Sequence, residues 1–378
     1  MKSYFRRVIL GSLGAGALFG PAVFSGCAVS FSPPGKVDAL RVLAVTVDKP
    51  YIEPIPAEDC AEDPEKCTVH FNMEVYDAYG VNQTGSERTI NILWIGGCFN
   101  PEGDQYSLCI FPALDLFDQA SGALQEAVEN GTTPEFPPGL PIGWGKQFSI
   151  VVPDIVSSRP KPSFGPHYGI GYVFFLACAG KFGIKEADPS AAGNFPIGCF
   201  DIDTGEALGA ESFVPGYTQV YSFSDGRVNS NPQILGVTLD DEPISEDLDQ
   251  IPVVPPCDVL SEERNQAASC SREDPFVACT PYEIKVTVPE DVGEVSPDQT
   301  GDEGQQLTET VWVNYYSDRG DFDGDIKLVN DPQTGYYEDH FVKWIPPSEP
   351  GLATIWATVR DSRGGSNVVV RYVRVENP

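Results

Sequence analysis

Short runs rich in β-branched residues, each closed off by proline, glycine or asparagine, recur roughly every ten to twenty residues from position 39 onward. With 34 prolines and 37 glycines in 378 residues, most of the chain cannot sustain long helices. "TVHFNMEVY" shows the rule most cleanly. Val69, Phe71, Met73 and Val75 fall on one face, and His70, Asn72, Glu74 and Tyr76 on the other, as a strand with one buried face requires. "ALRVLAVTVDKP", "TINILWIGGC", "KQFSIVV", "GIGYVFFLACAG" and "TQVYSF" read as companion strands. One patch departs from the period of two. In "ALDLFDQASGALQEAVEN", Leu114, Phe117, Leu124 and Val128 fall near helical spacing, with Asp115 and Asp118 early, where the helix dipole favours anions, and Gly122 weakening the middle.

Around "SDGRVNSNPQILGV" the composition turns to Ser, Asn, Gly and Pro, which marks a domain boundary near residue 230. Strand-like stretches resume at 233–239, "YEIKVTV", "TETVWVNYYSD", "HFVKWI" and "LATIWATVRD". The C-terminal pair "TIWATVRD" and "NVVVRYVRV" flanks "SRGG", a hairpin whose glycines accept positive φ. The acidic stretches "LDDEPISEDLDQ" and "PEDVGEVSPDQTGDEG" read as loops, and "DVLSEERNQAAS" as a short helix. The expectation is an all-β chain of two Ig-like β-sandwich domains in tandem, over 38–230 and 231–378, with a short helical insert in the first.

The N-terminus sets the compartment. Lys2, Arg6 and Arg7 precede a short apolar run, "VILGSLGAGALFGPAVF", that is interrupted by glycines and Pro21. It reads as a secretory signal rather than a membrane-spanning helix. The ending "FSGC" resembles the lipobox of bacterial lipoproteins, in which a small residue precedes an obligatory cysteine. That resemblance implies removal of residues 1–26, acylation of Cys27 and a lipidated tether over 27–37. The alternative is an ordinary thiol behind a conventional cleavage site. With two or three acyl chains the attachment is firm, since each buried methylene adds about 0.8 kcal/mol. Ala28 after the cysteine resembles outer-membrane sorting, with the protein facing the periplasm or the cell surface. "FRRVIL" resembles a twin-arginine signal, but that route carries folded cargo, and cysteines that oxidise outside the cytosol favour the Sec route.

An exported chain meets oxidising conditions, so the other nine cysteines read as disulfides. Proximity suggests Cys60 with Cys67, Cys98 with Cys109 and Cys178 with Cys199. Cys257, Cys270 and Cys279 form an odd triple, giving one pair and one spare thiol, whereas ten cysteines pair evenly only if Cys27 is not lipidated. Zinc is not expected, because there is no C-x-x-C and only His70, His167 and His340 are available. The net charge is −31, and −34 without the three signal-segment cations. Such a surface repels nucleic acid and anionic lipid.

No nucleophile-elbow, zincin, P-loop or dinucleotide motif occurs, and the three histidines are scattered. A pair of carboxylates suited to glycan hydrolysis leaves no motif and stays open. The sharpest candidate site is "YYSDRGDFDGDIK", in which Asp318, Asp321, Asp323 and Asp325 crowd together. Such acids can cup calcium or line an exposed turn. It is no EF-hand loop, since Ile326 stands where glycine is required and Pro332 where the terminal Glu belongs. No other cofactor is implied. Of the aromatics, Trp94, Trp344 and Trp356 lie inside apolar strands and read as core. Trp144, Trp312 and the Tyr pairs at 315–316 and 336–337 could line a glycan or peptide surface, with Trp144 in "PIGWGK" the best exposed candidate.

The stretches "LRVLAV", "RVNSNPQILGV" and "IWATVRDSRGGSNVVVRYVRV" resemble uncharacterised myxobacterial-type surface lipoproteins, which pair Ig-like domains in this order. The resemblance implies the fold and carries no activity. The expected function is therefore a lipid-anchored envelope protein, a non-catalytic binding or structural module acting through protein or glycan contacts and not binding nucleic acid. The alternatives are an envelope glycan hydrolase using paired carboxylates in the first domain, or a subunit of a surface assembly.

Overall fold

The alternation at 68–76 becomes an antiparallel strand in which Val69, Phe71, Met73 and Val75 are all buried. In the computed structural model the described residues are 35–377, apart from 82–84, 131, 137–138, 185–196, 262, 265–278 and 303. The signal segment, Cys27 and Cys270 lie outside them.

The first set of strands is β1 (Leu40–Val47), β2 (Tyr51–Ile52), β3 (Thr68–Asp77), β4 (Asn91–Phe99), β5 (Ile142–Trp144), β6 (Gln147–Val151), β7 (Tyr168–Cys178), β8 (Lys181–Ile184), β9 (Ile197–Phe200) and β10 (Phe213–Phe223). The second is β11 (Gly236–Leu239), β12 (Glu242–Pro243), β13 (Val253–Val254), β14 (Tyr282–Thr287), β15 (Val295–Thr300), β16 (Gln306–Thr308), β17 (Val311–Ser317), β18 (Asp321–Phe322), β19 (Ile326–Asp331), β20 (Gly335–Tyr336), β21 (Val342–Ile345), β22 (Gly351–Asp361) and β23 (Ser366–Val375). The helices are α1 (Ala57–Glu62), α2 (Pro64–Cys67) and α3 (Ile110–Asn130).

The first set forms one sheet ordered β1-β3-β6 facing another ordered β2-β10-β7-β4-β5. The second repeats the plan, with β11-β14-β21 at the centre of one sheet and β13-β23-β22-β17-β19 in the other. In both, a two-residue strand crosses over to pair in parallel with the last long strand, β2 on β10 and β13 on β23. Two sandwiches with this shared strand order are the tandem Ig-like architecture expected from the sequence. Each has its own core, around Trp94, Phe71 and Phe175 in the first and Trp344, Tyr315 and Phe322 in the second.

The sandwiches dock through β1. A β-bulge between Val42 and Ala44 leaves Leu43 out of register with β3. A bulge re-aims the extra residue, and Leu43 packs outside the first core, against Val37 and Trp356. Its carbonyl accepts hydrogen bonds from Thr358 Oγ1 at 3.2 Å and Arg360 at 2.9 Å. Trp356 was expected in a core. It is buried, but on the outer side of β22, where Tyr76 packs on it at 4.7 Å between ring centres. The linker is held as well: Asn231 donates to Val47 O at 2.6 Å and accepts from Ser366 N at 3.0 Å.

Beside that linker, Asp361 accepts from Asn229 at 3.1 Å and from the N–H groups of Arg363 and Gly365 at 2.8 Å, tying off the turn in which Gly364 takes φ 96°. Buried Glu309 accepts from Glu294 N, and its second oxygen faces only Arg363, at 3.5 Å. That guanidinium also serves Glu294. Two carboxylates thus share one cation.

The stretch 289–304, expected as loop, contains β15, which pairs with β16 just beyond it in a two-stranded hairpin. Its residues do not alternate in polarity and Val295 is exposed, so backbone pairing rather than burial holds it.

Two outcomes follow. Trp356→Ala should lower stability by about 3–5 kcal/mol, read as a lower urea midpoint, because it empties the seam. Burial pushes the Glu309 carboxyl up to about 8, whereas in the unfolded chain it titrates in the ordinary range. The folded state therefore holds that proton more tightly. Its contribution is full below the ordinary carboxylate range and is lost as pH rises to about 8. Glu309→Gln should flatten this part of the pH dependence, leaving the variant with the higher melting temperature at pH 8.

Candidate functional site

β7 is apolar along nearly its whole length because both of its faces are covered, but by different things. Val173, Phe175 and Ala177 point into the first core. On the outer side, Leu176 and Cys178 lie under α3, with Leu93, Ala120 and Leu124. The helix runs from Ile110, three residues earlier than its sequence pattern, and covers the sheet's outer face. Gly122 is tolerated where nothing lies within 4 Å of the position a Cβ would take.

The remaining half of that outer face is aromatic. Tyr168, Tyr172 and Phe174 of β7 meet Tyr217, Tyr221 and Phe223 of β10 through antiparallel pairing. Tyr51 of β2 extends the row, 6.0 Å from Tyr221 and 4.7 Å from Phe223. A loop supplies the last ring. Gly97, at φ 85°, sits in a bulge of β4 between Ile95 and Cys98, where a side chain would be strained. Cys98 then bonds to Cys109, closing the segment 98–109 that carries Tyr106. Tyr106 lies nearly parallel to Tyr217, with centroids 4.4 Å apart and planes at 22°, and each residue is 44% exposed.

Asp104 in the same loop fixes the floor. Its carboxylate accepts from Tyr168 Oη at 2.5 Å and Arg159 at 2.8 Å, and its carbonyl accepts from Tyr172 Oη at 2.7 Å. The Arg159 guanidinium stands 4.9 Å over the Tyr168 ring, a cation–π contact. The hydrogen bond to Asp104 raises the Tyr168 hydroxyl, and burial pushes Tyr221 up to about 12, so both phenols stay protonated donors at physiological pH. Phe164, 88% exposed, stands on the loop leading into Tyr168.

The sequence-expected site residues fare differently. Cys60 pairs with Cys67, Cys98 with Cys109 and Cys178 with Cys199, and Cys257 pairs with Cys279. The calcium cup is not assembled. Asp318 accepts from Thr354 N and Oγ1 and from Tyr76 Oη across the seam. Asp321 is buried against Arg264, Ser261 and Lys36. Asp323 accepts from Lys343 N, and the Asp325 carbonyl accepts from Tyr315 N. Protein donors hold the first three carboxylates apart, and among the described residues no group of three or more His, Cys, Asp or Glu side chains could hold a metal. Trp144 is half-buried beside Phe182 at 5.5 Å rather than displayed. His340 is fully buried and bonded to the Tyr337 and Val286 carbonyls.

His70 is the one histidine with reactive company. Ser149, its cross-strand partner on β6, lies 2.7 Å from Nδ1, and Glu65 lies 2.6 Å from Nε2. Ser149 and His70 line a cleft of about 480 Å³ between the β1-β3-β6 sheet and Asn231, Ser366 and Asn367, whose only lining carboxylate is Asp48. Sequence reading missed this, because 79 residues separate Ser149 from His70 and no motif spans them.

No family model and no curated protein matches this chain. Among solved structures, it is similar to the fibronectin(III)-like modules of Clostridium thermocellum CbhA, at 11% identity and a TM-score of 0.20, over 88% of this chain and 95% of that one. Dimeric latent PorU from Porphyromonas gingivalis aligns at 10% identity and a TM-score of 0.19, over 90% of this chain and 24% of that one. The C-terminal domain of the Streptococcus pyogenes antigen I/II-family protein AspA aligns at 9% and 0.18, over 90% of this chain and all of that one.

If the 98–109 staple presents Tyr106, Cys98→Ala with Cys109→Ala should open the loop while the sandwich stays folded. Limited proteolysis should then cut within 100–108, with the strand signal in far-UV circular dichroism unchanged.

Proposed function

We propose that this chain is a lipid-anchored protein of the cell envelope whose first sandwich binds a neutral glycan strand on its tyrosine face, without catalysing a reaction there. The observation that carries the reading is the exposed, parallel pair Tyr106 and Tyr217, standing on a floor of protonated phenols. Sugar rings present C–H faces that stack on aromatic rings, while phenol hydroxyls exchange hydrogen bonds with their edges. Tyrosine also gives large contact area at little entropic loss. The net charge of −31 disfavours acidic polysaccharides, which leaves neutral chains as the matching class. The only carboxylate in the tyrosine floor described above, Asp104, is already paired with Arg159, which suits holding a ligand rather than cleaving it.

Four disulfides suit an oxidising compartment, and the lipobox-like "FSGC" supplies the anchor at Cys27. Both features support the reading of an outer-membrane lipoprotein.

Titration calorimetry against a panel of neutral α- and β-glucans tests the binding. Tyr217→Ala and Tyr106→Ala should each weaken it about tenfold, near 1.4 kcal/mol. Equal affinity of both variants and the parent, or no binding by any of them, would discard the reading. For the anchor, Cys27→Ser should release the protein from membranes or leave it unprocessed. Unchanged attachment of a processed product would count against it.

A further inference from the structure

The tyrosine face leaves the cleft beside β6 unused, and that cleft is lined by a nucleophile and a base, the base being backed by a carboxylate from α2 in hydrogen-bonded sequence. We propose that Ser149, His70 and Glu65 form a hydrolytic relay acting on carboxylic esters of small neutral acyl groups, such as acetyl esters on sugars. The residues converge from separate elements. Ser149 and His70 are partners across β3 and β6, a pairing that brings same-face side chains together. Glu65 comes from α2.

The supporting contacts hold each member in place. Cys60–Cys67 closes the turn around Glu65. Lys49 Nζ donates to the carbonyls of Glu65 at 2.9 Å and Thr68 at 2.8 Å. Asp48 accepts the backbone N–H of His70 at 2.8 Å. The hydrogen bond from His70 holds the Glu65 carboxyl below its usual range. An ionised Glu65 selects the tautomer with hydrogen on Nε2, leaving Nδ1 free to accept from Ser149. Asn72 and Gln147, the next cross-strand pair on the same face, line the cleft with amide donors for a carbonyl oxygen. Asp48 and Glu65 stand near enough to repel an anionic acyl group, which gives the preference for neutral ones.

The chemistry balances within these groups. Ser149 Oγ bonds to the ester carbonyl carbon while its proton passes to His70 Nδ1. The acyl carbon–oxygen bond then breaks, and the departing alcohol oxygen takes that proton, leaving acyl-Ser149. Water gives a proton to His70 as it attacks the acyl carbon. The bond to Oγ breaks, the carboxylic acid leaves, and Ser149 regains its proton.

The test uses the full chain with a fluorophosphonate probe, which phosphonylates an activated serine with loss of fluoride, and with p-nitrophenyl acetate. Peptide mass spectrometry should find the adduct on Ser149. Ser149→Ala and His70→Ala should lower acetate release about 100-fold. Ser149 and Glu65 are surface residues and His70 is half-exposed, so the variants should keep the parent's circular dichroism. Glu65→Gln should lower kcat with KM unchanged, as expected of a residue that positions the base. No adduct on Ser149, or release by Ser149→Ala at the parent rate, would overturn the proposal. Binding of glucans to the tyrosine face is unaffected by these variants, so the two readings fail independently.

Discussion

One carbonyl group organises the relation between the two halves of this molecule. The bulge in β1 turns Leu43 out of its own sandwich and offers its oxygen to Thr358 and Arg360 of the other. Hydrogen bonds of this kind are worth only about 1 kcal/mol each, and more where a charged donor takes part. Their effect here is to fix register, while apolar burial of Leu43, Val37 and Trp356 supplies the driving force. Because β1 is at once the first strand of one sandwich and the docking strip for the next, the linker bears little load. Asn229 and Asn231 are both tied down near its middle.

The same sheet is used in two ways in the first sandwich. Leu176 and Cys178 need cover, and the 21-residue α3 gives it. A few residues earlier along β7, Tyr168 and Tyr172 need less, since each ends in a hydroxyl with a partner on Asp104. Aromatic rings with a polar tip can remain at a surface where leucines would not. The boundary between covered and open sheet thus follows from side-chain chemistry along a single strand. The two disulfides nearest that boundary, Cys98–Cys109 and Cys178–Cys199, hold the insertions against it.

Much of this was legible beforehand. Alternation located β3, β-branched runs around a glycine turn located the terminal hairpin, and spacing found the three local disulfides. What escaped shares a physical cause: it depends on contacts between distant segments. "LRVLAV" contains no sign that Leu43 is bulged, because adjacent apolar residues fit either a doubly covered strand or a kinked one. The Asp318–Asp325 cluster resembles a cation cup only until Tyr76, Thr354, Arg264 and Lys343 arrive from elsewhere in the chain to claim its oxygens. The tyrosines gave no signal, since 45 residues separate Tyr172 from Tyr217 and the loop bearing Tyr106 reads as polar. A tight turn escaped as well. "LDDEP", expected as loop, is a two-residue turn between Leu239 and Glu242 with Asp240 and Asp241 both at positive φ, and it lacks the glycine that usually marks such a hairpin.

Docking also creates surface. The cleft holding Ser149 and His70 has the first sandwich as its floor, but Asn231, Ser366 and Asn367 as its far wall. Ser366 in turn donates to Val45 O at 2.8 Å, so the wall is attached to the same strip of β1 that carries the bulge. Separate sandwiches would leave His70 and Ser149 on an open sheet, where water competes for every hydrogen bond and no substrate is enclosed. Behind that wall, Glu294 accepts the N–H of Ser230 next to Asn231, which ties the linker to the second sandwich. The tyrosine face, by contrast, is built within one sandwich and stapled by its own disulfide.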